Sequence, residues 1–194
     1  MTVRTLVLAS TSPFRRELLG RLQLPFETDA PEVDESAAAN EDAPTLVRRL
    51  AEAKARAVAS RWPDALIIGS DQVVAVDDTI LGKPGDHQRA VEQLRRVSGK
   101  TVVFYTGLCL WDSRADAGQL KVVEFPVRFR TLSEAQIEGY LAKEPAFNCA
   151  GAFKSEGLGI ALCEAFAGDD PTALIGLPLI HLTRMLERAG VSVL

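Results

Sequence analysis

Leu6-Val7-Leu8-Ala9 is an apolar, β-forming run that ends in Ser10-Thr11-Ser12, and Pro13 and an amphipathic stretch through Leu18-Leu19 follow it. This pattern predicts strand, tight loop and helix, with Pro13 at the first helical position. Residues 26–30 read as a second short strand, leading into an acidic loop, Pro31-Glu32-Val33-Asp34-Glu35. Asp42 and Pro44 announce a helix over about 44–61, with Leu46, Val47, Leu50, Ala53, Ala57 and Val58 at the helical period. Lys54 falls one position beyond that stripe, where a lysine snorkels along the edge.

Trp62-Pro63-Asp64 breaks the helix, and Ala65-Leu66-Ile67-Ile68 is too unbroken to have one wet face, which predicts a central strand. It is expected to end at Gly69-Ser70-Asp71-Gln72 and to resume over 73–76, with Asp77-Asp78 as a hairpin turn before Thr79-Ile80-Leu81. After the loop Gly82-Lys83-Pro84-Gly85, a helix runs from Asp86 to about Val97 on Ala90, Val91, Leu94 and Val97. Residues 101–111 and 119–130 form a long antiparallel hairpin. Ser133 and Gln136 have capping-box spacing for a helix to about Lys143. A strand is expected from Ile160. Asp169-Asp170-Pro171 opens a final helical region that Pro178 divides, leaving a last helix over about 179–189. The fold class is α/β with a mixed sheet.

The helix start after Ser12 offers backbone N–H groups, and Arg15 and Arg16 in its first turn oppose the helix dipole unless an anion binds there. Asp71, after an apolar strand, is the acid most in need of a functional explanation, because α/β proteins place ligands at strand ends. Lys83 sits in a Gly-Lys-Pro loop without a Walker A pattern, and Glu156 lies in the polar island Lys154-Ser155-Glu156-Gly157. No Gly-x-Ser-x-Gly, His-Glu-x-x-His or Gly-x-Gly-x-x-Gly motif occurs.

Composition narrows the field further. An apolar fraction of 47% over 194 residues is enough for one domain or two closely joined lobes. The net charge of −4 argues against broad nucleic-acid binding, and no apolar run reaches membrane length. The three cysteines are scattered, as free thiols in a reducing compartment would be, so a cytoplasmic protein is expected.

Read in order, Ala9-Ser10-Thr11-Ser12-Pro13-Phe14-Arg15-Arg16, the Glu35 loop, Lys54 within Leu50-Ala51-Glu52-Ala53-Lys54-Ala55, Gly69-Ser70-Asp71-Gln72-Val73, Gly82-Lys83-Pro84 and Gly176-Leu177-Pro178-Leu179 resemble the Maf-like nucleoside triphosphate pyrophosphatases over nearly the whole chain. The resemblance implies a single Maf-like domain over 1–194, a mixed sheet flanked by helices, and two lobes with a central cleft. It implies water attack at the α-phosphorus, releasing pyrophosphate and a nucleoside monophosphate. Asp71 would be the proton acceptor, with Glu35 also in the site and a divalent cation, Mg2+ or Mn2+, held by Glu35 and Asp71. Ser10, Arg15, Arg16, Lys54 and Lys83 would bind phosphate. Phe14, Gln72 and Glu156 look like the specificity positions of the branch that hydrolyses 7-methyl-GTP, which would keep modified nucleotides out of nucleic acids. Some relatives carry tryptophan where Phe14 stands, so the aromatic face here is smaller. The dTTP/UTP branch instead has arginine directly after the proline and threonine after the aspartate. The implied partner is a small-molecule nucleoside triphosphate, with neither nucleic acid nor membrane, and homodimers are common among relatives. A nucleotide-binding regulator of septum formation with little turnover is the reading from another class.

Overall fold

The computed structural model describes residues 4–77 and 79–194. Among them the elements run β1 (Thr5–Ala9), α1 (Pro13–Gly20), β2 (Glu27–Asp29), α2 (Ala43–Ala59), β3 (Ala65–Val76), β4 (Thr79–Leu81) and α3 (His87–Val97). They continue as β5 (Thr101–Asp112), β6 (Ala117–Phe129), α4 (Glu134–Lys143), β7 (Cys163–Phe166), α5 (Pro171–Ile175) and α6 (Leu179–Arg188). The strands form one sheet in the order β2-β1-β3-β5-β6-β7, with β4 paired to β3. β1 is parallel to β2 and β3, while β4 and β7 pair antiparallel, so the sheet is mixed as expected.

The chain forms two compact units, one of residues 4–71, Thr106–Val123 and Asp170–Leu194, the other of Gln72–Tyr105 and Glu124–Asp169. In the first, the period-2 alternation of strand side chains builds two separate apolar layers. Leu6, Leu8, Leu66, Ile68, Leu108 and Leu110 pack with Leu18 and Leu19 of α1 and with Leu179, Leu182, Met185 and Leu186 of α6. The alternate positions Val7, Ala9, Ala65, Ile67, Cys109 and Trp111 pack with Ala51, Ala55 and Val58 of α2. Each buried leucine contributes about 1.5–3 kcal/mol, so these layers hold the strand ends in place.

α2 lies unusually close to the sheet. A Cβ on Gly69 would fall 2.0 Å from the Ala51 carbonyl oxygen, and one on Gly107 would fall 2.0 Å from that of Val47. Glycine at both positions lets the helix backbone itself touch the strands. The buried face of α2 is therefore Leu46, Val47, Leu50, Ala51, Lys54, Ala55 and Val58. The expected stripe was rotated, since Ala53 and Ala57 are only half-buried and Lys54 is inside rather than at an edge.

In the second unit, the Phe153 ring packs against Phe104 and Phe129, with centroids 5.6 and 5.1 Å away. α3 buries the expected Ala90, Val91, Leu94 and Val97 behind the N-cap Asp86. Ser133 and Gln136 complete both bonds of the capping box on α4. Asp77, between the paired Val76 and Thr79, takes the left-handed turn conformation, φ 46°, that glycine would usually supply. Asp78 of that expected turn lies outside the described residues. The strand expected from Ile160 begins at Cys163 instead, because residues Leu158–Leu162 wind into a 3₁₀ segment.

Candidate active site

β3 is one continuous strand through residue 71, so Asp71 is not at a strand end as expected but inside the strand. Alternation then decides where its side chain goes. Ile67, Gly69 and Asp71 face α2, while Leu66, Ile68 and Ser70 face the layer of α1 and α6. Because Gly69 brings α2 down onto β3, Lys54, three residues beyond Ala51, reaches Asp71 without passing through solvent. Lys54 Nζ lies 2.6 Å from Asp71 Oδ1 and 2.7 Å from Glu35 Oε1. Lys54 is 5% exposed and Asp71 7%, whereas Glu35 reaches the ammonium from an exposed loop. A buried ammonium between two carboxylates is a costly arrangement unless all three are held in place.

The start of α1 is more fully satisfied than its sequence predicts. Pro13 has no N–H, the Arg15 N–H is accepted by the Ser12 hydroxyl at 3.4 Å, and the Ser12 N–H by the Ser10 hydroxyl at 3.1 Å. The Ser12 cap thus takes the Arg15 N–H, and α1 adds side chains that an anion could use. Arg16 is exposed, Phe14 is half-buried, and Arg15 donates from Nε to the Gly176 carbonyl at 2.8 Å. Burial pushes the Arg15 guanidinium below its ordinary pKa, while Asp71 and Glu35 favour its charged form. Ser10, accepting a backbone N–H, keeps its own proton to donate.

Gln72, Lys83 and Glu156 lie on the second unit. Gln72 follows Asp71 on β3 and is half-buried. Lys83 is exposed, in a loop anchored on both sides: the Gly82 carbonyl accepts from Gly151 N at 3.2 Å, and Gly85 N donates to the Phe147 carbonyl at 2.9 Å. Glu156 is exposed on a loop pinned by Glu144, whose carboxylate takes Lys154 Nζ at 2.7 Å and the Leu158 N–H at 2.9 Å. Those bonds, the lysine's foremost, hold the Glu144 carboxyl below its usual range.

Three buried polar residues escaped the sequence reading: Ser70, Thr106 and Asp170. Asp170 was legible only as a helix start. That strand alternation would turn Ser70 and Thr106 to the same face was in the sequence, but their acceptors, carbonyls 37 to 106 positions away, were not. Among the described residues no three of His, Cys, Asp and Glu gather as a metal cluster, and no helix is long and apolar enough to cross a membrane. All three cysteines are free, and burial pushes Cys109 up to about 12 and Cys149 and Cys163 to about 11, so none is a thiolate at neutral pH.

Residues 5–189 match the family model described as Maf-like protein. A protein of Nitrosococcus oceani named 7-methyl-GTP pyrophosphatase is 56% identical over 190 residues, covering 98% of this chain and 96% of its own. Proteins of the same name from Colwellia psychrerythraea and Albidiferax ferrireducens are 53% and 52% identical, covering 99% and 98% of this chain and 96% of their own. With a family model matched over residues 5–189 and relatives more than half identical over nearly its whole length, the chain belongs to the Maf-like family.

Proposed function

We propose that this protein hydrolyses 7-methyl-GTP to 7-methyl-GMP and pyrophosphate by water attack at the α-phosphorus. The observation that carries this reading is the buried Lys54 ammonium held between Asp71 and Glu35, with the Arg15 guanidinium close enough to sense both acids. Cations and acids packed so tightly suit a reaction that binds a polyanion and also moves a proton. Lys54 and Arg15 offset phosphate charge, and Arg15 does so with a planar fork. Asp71 is the proton acceptor for the attacking water, and its bond to Lys54 fixes the carboxylate's direction. Ser10, Arg16 and Lys83 add a hydroxyl and two cations for the remaining phosphate oxygens.

The donor set fits a divalent cation. Glu35 and Asp71 each meet Lys54 through one oxygen, and hard carboxylate oxygens are what Mg2+ or Mn2+ takes, with phosphate oxygens and water completing the shell. Such an ion, held by Glu35 and Asp71, would neutralise charge developing on the pyrophosphate leaving group.

Selectivity follows from the base. Methylation at N7 makes the guanine ring cationic, and a cation over an aromatic face gains about 0.5–2 kcal/mol. Phe14 supplies that face. Glu156 accepts N1–H and the exocyclic amine together, and Gln72 reads O6 or the sugar. We assign the reaction to the cytoplasm, where the nucleotide pool lies.

The test is pyrophosphate release with Mg2+ or Mn2+ from 7-methyl-GTP, GTP, dTTP and UTP at equal concentration. Wild type should prefer 7-methyl-GTP, Asp71→Asn should be inactive, and Phe14→Ala and Glu156→Gln should erode the preference over GTP. Binding without release in wild type would favour a nucleotide-binding regulator, and a preference for dTTP or UTP would move the chain to the other branch.

A further inference from the structure

The fully or nearly buried polar residues among those described are Lys54, Ser70, Asp71, Thr106 and Asp170. Lys54 and Asp71 form the central pair. The other three all serve one short segment, the α5–α6 junction. Asp170, 0% exposed, caps α5 by accepting the Thr172 N–H at 3.0 Å and the Thr172 hydroxyl at 2.5 Å. Its other oxygen accepts the Ile180 N–H at 2.9 Å, at the start of α6. The Thr172 hydroxyl in turn accepts the Leu179 N–H at 2.8 Å. One carboxylate therefore ties the starts of both helices together and closes the turn between them. Thr106 holds the same segment from the sheet, donating to the Ala173 carbonyl at 2.9 Å.

Gly176 lies in that turn, at φ +117°, a conformation that a side chain would strain. Its carbonyl oxygen accepts from Arg15 Nε at 2.8 Å and lies 2.9 Å from Ser70 Oγ, which is also 2.8 Å from the Gly107 carbonyl. The hydroxyl has one proton for two carbonyls, so it ties the turn to the sheet while Arg15 holds the same oxygen from the other side. With Nε engaged, rotating the guanidinium about its stem costs that bond, which favours one direction for its two terminal amino groups.

We propose that Asp170 is a positioning residue for Arg15, acting through the Gly176 carbonyl, with Ser70 as the second support of that carbonyl. The inference rests on Arg15 being a phosphate ligand, as the function above requires. A buried, multiply bonded carboxylate is an expensive way merely to cap a five-residue helix, and its cost is accounted for when the turn it fixes aims an arginine.

The experiment measures binding of inorganic triphosphate to the full chain by calorimetry, which needs neither turnover nor the right base. Arg15→Ala, Asp170→Asn, Ser70→Ala and the Arg15→Ala/Asp170→Asn double variant are compared with wild type, and the Arg15 Nε–H resonance is followed by NMR. Arg15→Ala and Asp170→Asn should each weaken binding by about ten- to hundredfold, the loss of a charge-assisted bond. The double variant should lose no more than Arg15→Ala alone, and the Nε–H signal should shift and exchange faster in Asp170→Asn. Ser70→Ala, which removes only one hydroxyl, should loosen the same signal and keeps the question answerable where Asp170→Asn does not fold. Independent, multiplying losses, or an unchanged Nε–H signal with unchanged binding in both supporting variants, would overturn the proposal and leave Arg15 as a phosphate ligand. Wild-type affinity in Arg15→Ala would overturn the phosphate role itself, and the positioning role with it.

Discussion

Lys54 on α2 and Asp71 on β3 meet at 2.6 Å, 17 positions apart in the chain, and both are almost wholly removed from water. Removing one partner strands the other. Lys54→Met should therefore destabilise the fold by about 3–5 kcal/mol and abolish turnover. Replacing both, in Lys54→Met/Asp71→Leu, should recover most of that stability and none of the activity. Denaturant unfolding followed by the pyrophosphate assay separates the two effects. A single variant as stable as wild type would mean the pair is not desolvated as its burial indicates.

The pair exists because Gly69 lets α2 rest on the sheet. Gly69→Ala places a Cβ 2.0 Å from the Ala51 carbonyl and 2.8 Å from the Ala55 nitrogen, both backbone atoms that cannot swing away. The helix must shift, at about 1–3 kcal/mol, and Lys54 shifts with it. Activity should fall more than the stability loss explains. Gly20→Ala, where nothing lies within 4 Å, is the control, and its added helix propensity should leave the protein as stable or slightly more so. Equal melting temperatures for the two variants would contradict the close approach.

This dependence on backbone contact also marks how far the sequence could be read. Periodicity placed α1, α3 and α4 and their caps well, because each is announced by local chemistry: Ser12-Pro13, Asp86, and Ser133 with Gln136. The residues of the centre were recognisable by type and order. What was not legible was Lys54 as a buried residue: it falls on the helical period with Leu50 and Val58, but its charge argues for an edge, and the two-glycine contact of α2 with β3 and β5 that buries it is not a local signal. Asp71 was misplaced for a related reason. Gly69-Ser70 resembles the end of a strand in sequence, but here the small residues make room for a helix on one face and a turn on the other.

Glu144 should control selectivity without touching the triphosphate. Its carboxylate holds Lys154 and the Leu158 N–H, the two ends of the loop that carries Glu156. Glu144→Ala should free that loop and lower the preference for 7-methyl-GTP over GTP by about tenfold at most, or 1.4 kcal/mol, with turnover of GTP little changed. Gly157→Ala should act alike, because its Cβ would fall 2.1 Å from Glu144 Oε2. Competition kinetics with both nucleotides in one reaction would read the ratio directly. Selectivity unchanged in both variants would remove Glu156 from base recognition.

Acid sensitivity should follow the bidentate pair between Arg4 and Asp112, which joins the start of β1 to the end of β5 with both contacts at 2.6 Å. The bond to Arg4, aided by the Ala115 and Arg114 N–H groups, lowers the Asp112 carboxyl to about 2. An unfolded aspartate titrates near 3.9, so the folded state favours the ionised form. The stabilisation is therefore complete above about pH 5, shrinks as pH falls through the unfolded value, and is lost only below about pH 2, where Asp112 is protonated in both states. Asp112→Asn should cost about 1–2 kcal/mol at pH 7, the side chain being 31% exposed and partly screened. Urea unfolding of wild type and variant from pH 7 down to 2 should show two curves that converge over the last two units. A constant gap would mean that Asp112 is held by shape rather than by charge, since a packing contact does not depend on protonation.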